Sequence, residues 1–453
     1  MNRIWTGGLA AAAGAALSAG VLAAGPDVTL LDIQTMAVYG PLNGKVAYSI
    51  GSHTCNIGNQ NLTWAFGGTP GLGMNAYRLH EGRLMQIGLS NAKTACCAAA
   101  SSGGCGTCNG TGGNLLGVGC LDVYWAEYNA GQTRLAPRSS INPYSGQFSG
   151  YTANTGDALY RRCQVNTSDV TLANYPGALW FMEGVYVGTD DAAAGNGLNN
   201  ASYKRMTLAP NYSMSPTGST SMGIPAIRAW RDHGLGVNAP DLSVNVDPVD
   251  VPGEGRYFVA NKVRDLGNGT WRYDYAVFNL NSHRSGSSFH IPVPAGVTVT
   301  NIGFHSPDYH SGEPYNNEDW VNTCGGSGEI CWQTPQTYAQ NVNTNALRWG
   351  TMYNFWFDAS TPPTTGTGSL GLFRPGTPES ITFGVQVPTG ASCYANCDGS
   401  TQTPILNVAD FSCFLNQFAS GASYANCDGS TEVPVLNVAD FTCFLQSFAS
   451  GCP

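Results

Sequence analysis

The sequence predicts a mainly β protein: an antiparallel β-sandwich body of one or two domains, followed by a small all-α tail. Three observations carry this reading. Short β-branched or aromatic runs bounded by Gly, Asn, Asp or Pro recur through the body. Charged residues make up only 11% of the chain against about 25% in ordinary domains, and 58 glycines exceed the usual share of roughly 7%. That composition suits an extracellular β protein with long turns. The C-terminal residues, in contrast, carry a duplication with helical periodicity.

In chain order, residues 1–24 read as an export signal. Arg3 precedes a small and apolar run, and Val21, Leu22 and Ala23 form a small-residue cleavage site, so a mature chain would start near Ala24 or Gly25. No later stretch has the length and apolarity of a membrane span. Residues 25–250 read as an irregular β-rich region. Within it, 45–50 has strand composition and 77–88 forms a hairpin around Glu81 and Gly82; 189–203 and 225–233 look like short helices, the second stopped by Gly234. Residues 251–390 read as the sandwich, with strands near 256–263, 271–280, 288–292, 297–304, 352–357 and 380–387. Trp271, Tyr273, Tyr275 and Val277 alternate with Arg272, Asp274 and Ala276, and Asn268-Gly269 is a hairpin-turn signal.

Fifteen cysteines in a chain with an export signal imply disulfides. Cys324 and Cys331 are expected to close a small loop. The cluster from Cys96 to Cys120 has a zinc-like CxxC, but its low-complexity surroundings favour disulfides; with Cys55 and Cys163 it makes an odd set, so one thiol is left over. A net charge of −9 without a basic cluster argues against nucleic acid as a partner.

One loop gathers chemistry-bearing side chains. Residues 304–320 hold His305, Asp308, His310, Glu313, Glu318 and Asp319, interleaved with Tyr309, Tyr315 and Trp320. Asp308, Glu313, His305 and His310 are the candidate catalytic residues, because a carboxylate pair can cleave a glycosidic bond and aromatics suit sugar rings. Two histidines with a carboxylate could also take a transition metal. None of these has diagnostic spacing, and the alternative is a polar surface loop whose aromatics pack on the sandwich edge. No nucleophile elbow, HExxH helix or nucleotide-binding glycine loop is present in the sequence.

The tail, 391–453, contains two copies of 28 residues starting at Tyr394 and Tyr424 that match at 22 positions. Each opens with an oxygen-rich turn, passes a proline and enters an apolar stripe, Phe411, Phe414, Leu415 and Phe418 in the first copy. Asn407 suits an N-cap, with Asp410 in the first turn and Gly421 just past the end. Two such helices can bury their Phe stripes against each other. Cys397 with Cys413 and Cys427 with Cys443 share one spacing, so a bond tying loop to helix within each repeat is the simplest pairing.

These residues resemble the duplicated calcium loop and helix of bacterial dockerins, in particular the type ending in Gly-Cys, as Gly451 and Cys452 do here. The resemblance covers only 393–453. It implies an EF-hand-like fold, with Asn396, Asp398 and Asp410, and Asn426, Asp428 and Asp440 in the second copy, as calcium ligands. It also suggests that Cys393 and Cys452 clasp the two ends. Tyr394 stands where the family has a ligating Asp, and the stretch before Asp410 is longer than the family's, so any calcium site implied is weak; a loop held by disulfides without metal is the alternative. The body is similar to secreted bacterial proteins with this type of tail, a family with no activity to carry over.

The leading functional expectation is an exported, non-catalytic body, structural or binding a glycan or protein, held at the cell surface or in an extracellular assembly. The resemblance implies a cohesin-like receptor or surface scaffold as partner, met by Ser412, Asn416 and Gln417 with Thr442, Gln446 and Ser447. A polysaccharide is the second partner class. The rival expectation is a secreted polysaccharide hydrolase delivered by the same tail.

Overall fold

The computed structural model describes residues 23–65, 71–94, 96–322, 326, 328–390, 393–400 and 402–452. The expected export segment therefore lies outside the described residues except for Ala23 and Ala24. Among the described residues no helix is long and apolar enough to cross a membrane.

The body is a stack of antiparallel sheets with three apolar cores between them. Strands Val28–Asp32, Ser52–Asn56 and Leu121–Tyr124 form a three-stranded sheet. It covers one face of a ten-stranded sheet whose middle is Leu179–Val187, Gly71–His80 and Arg83–Leu89. The other face of that large sheet packs on a five-stranded sheet, Asn245–Asp250, Arg256–Asp265, Trp271–Asn279, Thr351–Ala359 and Val299–His305. A four-stranded sheet, Glu329–Gln333, Gly286–Pro292, Pro363–Leu372 and Ser380–Pro388, closes the far side.

Period-two geometry makes this stacking work. In the five-stranded sheet Tyr257, Val259, Tyr273, Tyr275 and Phe355 face the four-stranded sheet, while Phe258, Ala260, Ala276, Phe278 and Met352 face the ten-stranded one. Both faces are buried, so 25–250 and 251–390 share a core. The sandwich begins earlier than 251, because Asn245–Asp250 pairs with Arg256–Asp265.

The region 25–250 is more regular than its sequence suggests. Leu179–Val187 and Gly71–His80 pair over nine residues and are buried on both faces, which removes the alternation that would mark them as strands. The hairpin at 77–88 is present, with Glu81 and Gly82 at φ +48° and +74° as a two-residue turn requires. Two local expectations are corrected. Helix at 189–203 is limited to Thr189–Ala193, because Ala201–Leu208 joins the large sheet. Residues 225–233 form a 3-10 turn, Ala226–Arg228, running into Ala229–Asp232. The hairpin expected at Asn268-Gly269 is present, Arg256–Asp265 pairing with Trp271–Asn279 across a five-residue connection. Strand Pro363–Leu372, rich in Gly and Thr, had no recognisable composition; its neighbours supply the packing, and a Cβ on Gly366 would lie 2.5 Å from Val387.

Candidate functional site

The tail has its own small core. Helices Val408–Ala419 and Val438–Ser450 each begin with a capping box in which Asn407 or Asn437 accepts from the backbone and Asp410 or Asp440 reaches back. Gly421 and Gly451 follow at φ +73° and +83°. Phe414 and Phe444 are fully buried and stacked with centroids 4.0 Å apart, and Phe411 meets Phe441 edge-on. Leu415 and Leu445 depart from the expected stripe: they are exposed. Disulfides join Cys397 to Cys413, Cys427 to Cys443 and Cys393 to Cys452, tying each loop to its helix and the two ends to each other. Each intra-repeat loop contributes about 3 kcal/mol by chain entropy.

The six expected calcium ligands fall into two equivalent groups. Asp410 accepts from the Asn407 N–H at 2.9 Å and the Asp398 N–H at 3.2 Å, and Asp440 does the same with Asn437 and Asp428 at 2.8 and 3.2 Å. Burial pushes the Asp410 carboxyl up, but these N–H donors outweigh it and hold the carboxyl below its usual range. Asp398 accepts from the Ser400 N–H at 2.8 Å. Asn396 Oδ1 and Asn426 Oδ1 are buried and have no hydrogen-bond partner. An amide oxygen without a hydrogen-bond partner, two residues from Asp398 or Asp428, leaves a hard oxygen free in each loop, and each loop supplies few side-chain oxygens. Among the described residues no three His, Cys, Asp or Glu side chains converge as a metal site.

The expected partner-binding residues divide. Ser412, Asn416, Thr442 and Gln446 are exposed, whereas Gln417 and Ser447 are half-buried. Ser412 and Thr442 donate to the Val408 and Val438 carbonyls of their own helices, both at 2.9 Å. Val408 and Val438, one turn before them on the helices, are 77% and 80% exposed.

In the body, the structure divides the candidate catalytic residues: His305, Asp308 and His310 border one cavity, whereas Glu313 turns away from it. His305 Nε2 lies 2.8 Å from the Gln86 carbonyl and His310 Nε2 lies 2.6 Å from the Leu89 carbonyl, so both rings fasten the loop to the ten-stranded sheet. Burial lowers both imidazoles, His310 to about 4. Glu313 accepts from the backbone N–H of Arg138 and, at 3.2 Å, of Ser139; burial raises its carboxyl. Asp308 is exposed, 3.4 Å from Lys45 Nζ, at a polar cavity of about 260 Å³ that is also lined by His305, His310, Asp169 and Asp319. Tyr309 and Trp320 are buried, and Trp320 stacks on Phe304 with centroids 5.8 Å apart, so the aromatics pack on the sandwich as a structural loop requires.

The odd cysteine is Cys163, buried and free, with burial pushing its thiol up to about 12. The other N-terminal cysteines pair as Cys55 with Cys105, Cys96 with Cys97 and Cys108 with Cys120. Cys331 is disulfide-bonded, and Cys324 lies outside the described residues. Sequence reasoning missed one feature beside Glu313. Tyr151, Arg161, Tyr338 and Arg374 line a common groove although they come from distant loops, and no motif links them.

No protein-family model matches the chain, and no curated protein matches it. Two solved structures overlap 80% of it at very low similarity: the serine-rich repeat adhesion glycoprotein of Streptococcus agalactiae, with TM-score 0.20, 7% identity and 98% of that chain covered, and the partial N-terminal region of the enterococcal surface protein, with TM-score 0.18, 8% identity and 96% covered. Overlap at this level carries no argument about fold or function.

Proposed function

We propose that this protein is an exported, non-catalytic body carried at the cell surface or in an extracellular assembly by its tail, which docks as a dockerin does on a cohesin-like receptor. The observation that carries the reading is the duplication in space of one exposed helical face. Val408, Ser412 and Asn416 on one helix correspond to Val438, Thr442 and Gln446 on the other, and all six are open to solvent. An apolar residue flanked by short polar ones is what a protein partner can cover without burying charge. The non-catalytic reading of the body is supported by the fates of Glu313, His305 and His310, whose polar atoms are engaged with backbone.

Calcium, in this reading, is held by Asn396, Asp398 and Asp410 and by Asn426, Asp428 and Asp440, where it would neutralise the paired carboxylates and order each loop. Calorimetry of the full chain tests both parts. Millimolar calcium is expected to raise the unfolding temperature of the tail, and paired Asp398→Asn and Asp428→Asn to remove that rise. A pull-down with the full chain and with a chain ending at 390 is expected to recover one receptor with the first alone. Equal recovery by both would end the docking reading.

A further inference from the structure

The tail accounts for how the body is held and leaves open what the body meets. We propose that the groove formed by segments 137–161, 312–315 and 338–343 with Arg374 binds an acidic polysaccharide, its anionic groups taken by Arg161 and Arg374 and its sugar faces by tyrosines. The proposal rests on the non-catalytic reading of the body.

The space suits a chain rather than a small ion. Two cavities of about 600 and 680 Å³ adjoin at Ser139, Ser140 and Ser149, and each has the volume to take more than one sugar ring. Its larger side chains are Tyr151, Tyr160, Tyr315 and Tyr338, all half-buried, which leaves part of each ring open. Guanidinium groups sit among these rings. Arg161 lies 5.1 Å from the Tyr160 centroid, Arg374 lies 5.6 Å from Tyr338, and Arg348 stacks behind Tyr315 at 4.1 Å.

The charge of this wall is not balanced. Among the described residues Arg161, Arg348 and Arg374 form no ion pair, whereas Arg78, Arg83, Arg256, Arg264 and Arg272 each have an Asp. No carboxylate lines either cavity. The nearest, Glu313, has turned to the backbone N–H groups of Arg138 and Ser139. Moreover Arg161 Nε, Arg374 Nε, and Arg348 Nε and Nη1 are buried with no hydrogen-bond partner. Leaving such donors unmet is costly, and the charge of an anion held in the groove beside these guanidiniums offsets part of the cost. His283, across the shared wall, is lowered to about 4 by burial and then by Arg374 and Arg348, which reports the same positive field.

The spacing of charge decides between polyanions. A nucleic acid presents a negative charge about every 1.7 Å of duplex, which a chain of net charge −9 repels outside the groove. An acidic polysaccharide alternates isolated anionic groups with C–H faces and hydroxyls, matching guanidiniums set among tyrosines, Ser139, Asn154 and Asn343.

The test is binding of the full chain to polygalacturonate, dextran sulfate and neutral dextran, followed by calorimetry. Polygalacturonate is expected to bind, and Arg374→Gln to weaken it by roughly tenfold or more while Arg374→Lys retains most of the affinity. Stronger binding of dextran sulfate would also support the groove and assign sulfate as the preferred anion. Tyr338→Ala, checked for an unchanged unfolding temperature, is expected to weaken binding to either anionic polymer. Equal binding of neutral dextran, or unchanged binding in both Arg374→Gln and Tyr338→Ala, overturns the proposal. New reducing ends from a bound polymer would overturn the non-catalytic reading and leave the groove standing; binding of no polymer would overturn the groove and leave the tail reading untouched.

Discussion

Tyr394 and Tyr424 clasp each other. The hydroxyl of Tyr394 donates to the Tyr424 carbonyl at 2.7 Å, the hydroxyl of Tyr424 donates to the Tyr394 carbonyl, and the rings stack with centroids 4.9 Å apart. The two hydrogen bonds and the ring stack join the loop of one repeat to that of the other.

Removing either hydroxyl leaves a partly buried carbonyl without its donor. Tyr394→Phe and Tyr424→Phe are each expected to cost about 1 kcal/mol of tail stability. The double variant is expected to cost less than or more than the sum, not equal to it, because the two bonds share one ring stack. Hydrogen exchange of helices Val408–Ala419 and Val438–Ser450 in the full chain measures all three. Unchanged exchange in both single variants would show that the clasp contributes nothing.

Acidification is expected to loosen the seam between the 304–320 loop and the ten-stranded sheet. His310 falls from its ordinary value of 6.5 to about 4 because burial disfavours the imidazolium, while its contact with the Leu89 carbonyl opposes the fall. A pKa depressed in the folded state gives stability that is present above 6.5 and lost as pH drops toward about 4. The amount is on the order of 2 kcal/mol. Asp191, raised to about 7 by burial, works in the opposite direction, since its neutral form is favoured by the fold. The measurement is therefore the difference between the chain and His310→Gln in denaturant titrations at pH 7 and pH 4.5. That difference should shrink on acidification; a constant difference would remove His310 as the cause.

Arg138 joins the two halves of the body without a carboxylate ion pair. Its guanidinium donates to the carbonyls of Ser90 at 2.7 Å, Met74 at 3.0 Å and Gly350 at 3.0 Å, and to Asn75 Oδ1 at 2.7 Å. Arg138→Met strips four buried acceptors of their donor and is expected to cost more than about 3 kcal/mol. Arg138→Lys should recover little, because one ammonium cannot reproduce the planar fork. Chemical denaturation of both variants gives the comparison.

Cys163 is the one unpaired thiol among the described residues and is expected to resist modification in the folded chain. Its thiolate is disfavoured by burial, with the nearby Arg138 only partly offsetting this. Iodoacetamide at pH 8 should leave it unlabelled until denaturant is added, read by peptide mass. Labelling under native conditions would mean that the strand Cys163–Asn166 opens readily.

Local signals in the sequence were sufficient wherever one element carried its own chemistry. The Asn407 and Asp410 capping box and the hairpin at Glu81-Gly82 are written in adjacent residues, and the structure contains both. Period two was legible at Trp271–Asn279, though not what each side met: Ala276 and Phe278 lie in a second core against the ten-stranded sheet. The loop from His305 to Glu313 was legible as a cluster of polar groups, but adjacency in sequence did not make a site. His305 and His310 turned to backbone carbonyls of the ten-stranded sheet, Glu313 to the backbone N–H groups of Arg138 and Ser139, and Asp308 to the Lys45 side chain.

The sequence by itself determined that the chain is mainly β, that its cysteines are mostly paired, and that its end is a twofold helical module, because these follow from composition, periodicity and repetition. Only the tertiary structure decided that 25–250 is a large sheet sharing a core with the sandwich, and that Arg161 and Arg374 face one groove while Glu313 turns from it. Burial on both faces erases the alternation by which a strand is recognised, and convergence of distant loops leaves no spacing to read.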